Sequence, residues 1–190
     1  MLHQNLPLDE LGFEIIPDFL PQTICHQLLR EIEGYEQEYP AHGIRNAEKK
    51  FTGIQNLVHS IRLLSKTREI LGSEPKLVRV IVFDKTPDKN WLVTWHQDKT
   101  IAVNHQEDLP GWGPWSLKAG IPHVQPPLEI LEKMITFRLH LDDADESNGC
   151  LKVLPRTHQL GILSQEEIQQ ARQGRDAFLC ELKAGGLLIM

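Results

Sequence analysis

Cysteine is scarce, with three in 190 residues, at Cys25, Cys150 and Cys180. An odd number so widely spaced gives no disulfide framework, and no Cys-x-x-Cys pair is present to start a zinc site. A long apolar run is also missing. Nothing approaches the ~18 residues of a membrane span, and Met1 to Phe13 mixes His3, Asp9 and Glu10 with leucines where a secretory leader carries an unbroken apolar core. There is no basic surplus: 20 Lys+Arg stand against 26 Asp+Glu, a formal net charge of -6, which disfavours binding to a phosphate backbone. Together these absences disfavour secretion, membrane insertion, a nucleic-acid partner and a cysteine–zinc fold, and leave the expectation of a soluble cytoplasmic protein. What is there is ordinary globular material, 41% hydrophobic and 24% charged, long enough for one domain with a real core.

Helical spacing comes first along the chain. Pro21 opens a stretch with Ile24, Leu28, Leu29 and Ile32 that ends near Gly34, and a second runs from about Ser60 to Leu71 with Gly72 placed as its stop. The texture then turns β-branched. Leu77 to Phe83 and Trp91 to Trp95 read as strands, as do Met134 to Leu141 and Cys150 to Leu154. Between them, Asp108 to Pro127 holds eight Gly and Pro residues and reads as a long loop without regular structure. Ser164 with Glu167 has the capping-box pattern of a short helix towards Arg172, and Gly185 to Met190 begins another strand. Helices followed by many short strands predict an α+β protein, mainly β in its core, of the sandwich or jelly-roll kind.

The sharpest local signal is Trp95-His96-Gln97-Asp98. On a strand, residues two apart share a face, so one imidazole nitrogen and one carboxylate oxygen could reach a common ion. A second histidine would complete the 2-His-1-carboxylate triad that holds Fe(II) with positions left open. Taken alone, the tripeptide is better met by a simple hydrogen-bonded His–Asp pair.

The ordered series Phe83-Asp84-Lys85-Thr86-Pro87, Trp95-His96-Gln97-Asp98, Phe137-Arg138-Leu139-His140-Leu141-Asp142-Asp143, Asn148-Gly149-Cys150-Leu151 and Val153-Leu154-Pro155-Arg156-Thr157-His158 resembles the phytanoyl-CoA dioxygenase-like family, from roughly Lys76 onwards and more loosely over the N-terminal helices. That resemblance implies Fe(II)- and 2-oxoglutarate-dependent oxygenases on a double-stranded β-helix (jelly roll, cupin-like), here one domain over 1–190 with a helical part to about 75 and an incomplete β-helix after it. It implies His96 and Asp98 as iron ligands, Gln97, Arg138 and Ile81 at positions near the cosubstrate, and a small-molecule or acyl substrate to be hydroxylated. One departure is visible: the family carries glycine where this chain has Arg156.

By the same resemblance the third iron ligand and the arginine anchoring 2-oxoglutarate follow a strand that Gly185-Gly186-Leu187-Leu188-Ile189-Met190 begins, so both are expected past Met190. His158 is expected to make a structural hydrogen bond in its turn. Two other readings stay open: a non-catalytic binding module that keeps the barrel without a complete iron site, and a cupin-like metalloenzyme using His140 or His158. Lys85 reads as a surface lysine, Trp112 and Trp115 as packing anchors, Arg45-Asn46 as a solvated turn, and Asp142 to Glu146 as a solvated acidic turn without calcium-loop spacing. His123 and Gln125 read equally as substrate contacts of the loop or as structure. The cysteines are expected to be buried thiols.

Overall fold

The computed structural model describes residues 8–35, 43–84 and 93–190. In chain order these form α1 (Leu8–Leu11), β1 (Glu14–Ile16), α2 (Gln22–Glu33), β2 (Ile44–Arg45), α3 (Thr52–Val58), α4 (Ile61–Leu71), β3 (Ile81–Val82), β4 (Ile101–Ala102), β5 (Trp115–Lys118), β6 (Ile121–Val124), α5 (Leu128–Leu131), β7 (Phe137–Leu139), β8 (Leu151–Val153), α6 (Gln165–Arg172), β9 (Phe178–Cys180) and β10 (Leu187–Ile189). The mixture is α and β, with the β part in several short antiparallel sheets. Residues fall into two compact units, one of Met1–Arg30, Trp95–Gln97 and Met134–Met190, the other of Glu31–Thr94 and Asp98–Lys133.

In the first unit β10 lies between β1 and β7, pairing Leu188 with Ile15 on one side and with Arg138 on the other. Leu187, Leu188 and Ile189 are fully buried, which is why this strand reads as a continuous apolar run rather than an alternation. β8 and β9 pair alongside, Leu151 with Cys180 and Val153 with Phe178. Leu11, Phe13, Cys180, Leu182 and Leu188 form one core cluster, and each fully buried Leu or Phe there contributes about 1.5–3 kcal/mol by leaving water. The Ser164–Glu167 capping box is present and starts α6. His158 donates from Nε2 to the Asp9 carbonyl at 3.1 Å, tying the 157–160 turn to α1.

In the second unit β2 pairs with β3, Arg45 opposite Ile81, and β6 is the centre of a sheet with β4 and β5. Ser60 caps α4 by accepting the Leu63 N–H, and Gly72, at φ 63, closes it. Phe51 has no capping oxygen for α3, and the Glu31 carboxylate takes the Gly53 N–H instead, at 2.8 Å.

Three expectations change. The 108–127 segment is not without regular structure: Trp115–Lys118 and Ile121–Val124 make a hairpin whose turn, Ala119 at φ 50 and Gly120 at φ 75, has the two positive-φ residues that suit right-twisted strands. Gly120 is a turn residue there, and Pro122 gives up only its N–H, since its carbonyl still accepts from Val103 at 3.0 Å. Second, Leu77 to Phe83 pairs only at Ile81–Val82. Third, Val93 to Trp95 carry no strand, while Trp91 and Leu92 lie outside the described residues, as does Lys85. Val93 is 52% exposed, and β-branched side chains favour strands chiefly where they pack. No sheet therefore imposes a period-two alternation on His96 and Asp98.

Candidate functional site

The segment around His96 is held from both sides by its neighbours. The Arg172 guanidinium lies over the Trp95 ring, 5.0 Å from its centroid, a cation–π contact. The Gln97 amide bridges the 161–163 loop, donating to the Gly161 carbonyl at 2.7 Å and accepting the Leu163 N–H at 2.8 Å. His96 itself is exposed, and so is Asp98. An imidazole and a carboxylate are donors that suit Fe(II), and to that extent the pair fits the ion that the sequence implies. Among the described residues no group of three His, Cys, Asp or Glu comes together as a metal site.

The remaining expected residues fall as follows. Arg138, in β7, is half-buried and opposite Leu188. His140, just after β7, is 6% exposed, and its Nε2 has no hydrogen-bond partner. Burial first, then repulsion from Arg138, depresses its pKa to about 4. All three cysteines are buried thiols, and burial pushes Cys180 up to about 12, which leaves it unreactive. Asp145 caps its own turn, accepting from the Ser147 N–H and hydroxyl, and Asp143 accepts from Lys183 at 2.7 Å.

His123 is not a lid residue. It lies in the central strand β6 and is 1% exposed. Its Nδ1–H donates to the Ile121 carbonyl at 2.9 Å, so Nε2 is the acceptor and receives the Arg79 Nη1–H at 3.0 Å. Both ring nitrogens are used with one proton between them, which fixes a neutral tautomer. Burial, together with repulsion from Arg79, Lys118 and Arg45, holds the His123 pKa below its ordinary value. Arg79 is pushed down by burial, partly restored by Asp98 and lowered again by Arg45.

Arg45 is not part of a solvated turn: it is half-buried on β2, and its Nε is buried with no acceptor. The second unit thus gathers Arg45, Arg79 and His123, with the Asp98 carboxylate acting on Arg79. Arg79 is the residue that sequence reasoning missed. Its signal was present, as the one charged residue between Leu77 and Phe83, Leu-Val-Arg-Val-Ile-Val-Phe.

Several solved structures share this fold. HygX from Streptomyces hygroscopicus, with nickel and 2-oxoglutarate bound, matches at 12% identity and a TM-score of 0.57, over 96% of this chain and 73% of that one. The non-heme alpha ketoglutarate dependent epimerase SnoN from nogalamycin biosynthesis matches at 16% identity and 0.54, over 96% and 68%. AviO1 from Streptomyces viridochromogenes Tue57 matches at 14% and 0.52, over 96% and 79%. At these identities the likeness is one of fold, and it agrees with the jelly-roll expectation. No curated protein matches the chain. The family model for Phytanoyl-CoA dioxygenase (PhyH) matches residues 8–190, a span that takes in both helical and β parts and the His96-x-Asp98 motif; the chain belongs to the phytanoyl-CoA dioxygenase family.

Proposed function

We propose that the protein is an Fe(II)- and 2-oxoglutarate-dependent oxygenase that hydroxylates a small-molecule or acyl-type substrate, with His96 and Asp98 as two protein ligands of the iron. The observation that carries this reading is the family match over residues 8–190, within which His96-Gln97-Asp98 stands in its expected order among the other motifs. Bound Fe(II) with 2-oxoglutarate supplies the oxidising chemistry for a C–H bond; the chain's own part is to bind, orient and keep the site ordered. Trp95 under Arg172 and the two Gln97 hydrogen bonds fix the backbone on either side of His96. This supports a positioning task for Gln97, beside the cosubstrate contact that the family relation assigns to its position. Arg138 and Ile81 are the other two positions assigned to 2-oxoglutarate by that relation, one offering a charge and the other an apolar wall.

The test is succinate release from 2-oxoglutarate by the full chain, supplied with Fe(II), ascorbate and oxygen. Turnover that falls at least a hundredfold in His96→Ala and in Asp98→Ala supports the assignment. A parent chain that releases no succinate, or variants that release as much as the parent, would overturn it and leave a binding module on the same fold.

A further inference from the structure

Resting on the oxygenase reading, we infer that Arg45 and Arg79 form a subsite for a carboxylate on the substrate that is oxidised. The two guanidiniums sit at the β2–β3 pair, and each is half-buried. They are close enough for Arg45 to disfavour the charge on Arg79. Among the described residues no ion pair reaches either one. Two like charges drawn out of water beside each other are unfavourable unless an anion completes the arrangement.

Arg45 has a donor already desolvated and waiting: its Nε is buried and meets no acceptor. Arg79 is aimed beforehand, because one Nη–H is spent on His123 Nε2 at 3.0 Å and His123 is itself pinned to Ile121. A guanidinium whose rotamer is fixed before binding loses little freedom when it takes a carboxylate edge-on. Charge decides between anions. At Arg79 the neighbouring charges are Arg45 and Asp98, so two cations stand against one carboxylate and one negative charge neutralises the remainder. A phosphate dianion would overshoot it. Fe(II) with doubly charged 2-oxoglutarate leaves that sum unchanged. Glu48, in the turn after β2, also has a buried oxygen without a partner; the charges that act on Arg79 are those of Asp98 and Arg45.

The carboxylate could also be that of the cosubstrate, and the experiment separates the two. The full chain, saturated with Mn(II) and 2-oxoglutarate, is titrated calorimetrically with hexanoate and with hexanamide. Hexanoate is expected to bind at least tenfold more tightly than hexanamide. Arg45→Gln and Arg79→Gln should each weaken hexanoate at least tenfold and leave 2-oxoglutarate affinity within twofold, while Arg68→Gln, in the exposed pair with Glu74, changes neither. Arg79→Lys guards against a folding defect: it keeps the charge without the fork and should retain part of the hexanoate affinity. Equal binding of acid and amide, or hexanoate binding untouched by both variants, overturns the subsite. Loss of 2-oxoglutarate instead of hexanoate overturns it too, by giving the arginines to the cosubstrate. A chain that takes up no Mn(II) or 2-oxoglutarate speaks against the oxygenase reading alone; acid against amide is then read on the unloaded chain.

Discussion

His140 carries a measurable consequence of a single buried nitrogen. Its ring is 6% exposed with Nε2 unsatisfied, and burial and Arg138 depress its pKa to about 4. An unfolded histidine titrates near ~6.5. Above that pH both states hold a neutral ring and the group is silent. As pH falls from about 6.5 towards 4, the unfolded chain takes up a proton that the native state refuses, so stability declines, by up to roughly 3 kcal/mol for this group. Below about 4 the native ring protonates as well and the slope ends. Urea unfolding between pH 7.5 and 4.5 should therefore show a shallower loss in His140→Leu than in the parent, with parallel curves as the refuting result. At pH 7 the same variant should stay within about 1.5 kcal/mol of the parent, because removing an unsatisfied polar atom offsets the change of shape.

At the level of strands and helices the tightest point lies where the chain enters β10. Gly185 has φ +90, donates its N–H to the His140 carbonyl at 2.7 Å and accepts the Leu20 N–H at 2.8 Å. A Cβ there would run into the Leu20 carbonyl oxygen. Gly174 has a similar sign of φ, +69, but open space around it. Gly185→Ala is thus expected to cost about 2–4 kcal/mol and Gly174→Ala only about 1, roughly 5–15 °C against 2–4 °C in thermal midpoint. Equal shifts would show that backbone conformation, not the Leu20 approach, dominates.

The same elements show what the sequence made legible. Helices announced themselves through local chemistry: Pro21 before α2, Ser60 and Gly72 around α4, Ser164 and Glu167 at α6. Arg156 explains its own departure from the family's glycine, since it sits at φ 66, where glycine costs least, and it is tied to Glu10 and to the Leu11 carbonyl. The β5–β6 hairpin was hidden because its Gly and Pro residues read as breakers. The strand before His96 was over-read because propensity cannot tell whether a β-branched run is covered. His96 and Asp98 were readable as one compact motif. Arg79 with His123 was not, because a hydrogen bond between residues 44 apart leaves no local pattern.

Taken as a whole, the chain is acidic, with a net charge of -6, and long-range attraction does nothing to gather a dianion such as 2-oxoglutarate. Affinity for it has to come from short-range contacts, and such binding feeds directly into stability, because a ligand held only by the native state stabilises by RT ln(1 + [L]/Kd), about 2.7 kcal/mol at a hundredfold excess over Kd. For a chain of this length that corresponds to a rise of roughly 5–10 °C in thermal midpoint. Mn(II) and 2-oxoglutarate together should produce such a rise in the parent chain, and Mn(II) alone a smaller one. In His96→Ala the joint rise should vanish, while the ligand-free midpoint moves by less than about 2 °C, since the side chain is exposed and exposed substitutions change stability by about 0.5 kcal/mol or less. A joint rise that persists in His96→Ala would place the ion on other donors. A ligand-free midpoint that collapses would instead make His96 a structural residue, held in place by the Trp95 and Gln97 contacts for its own sake.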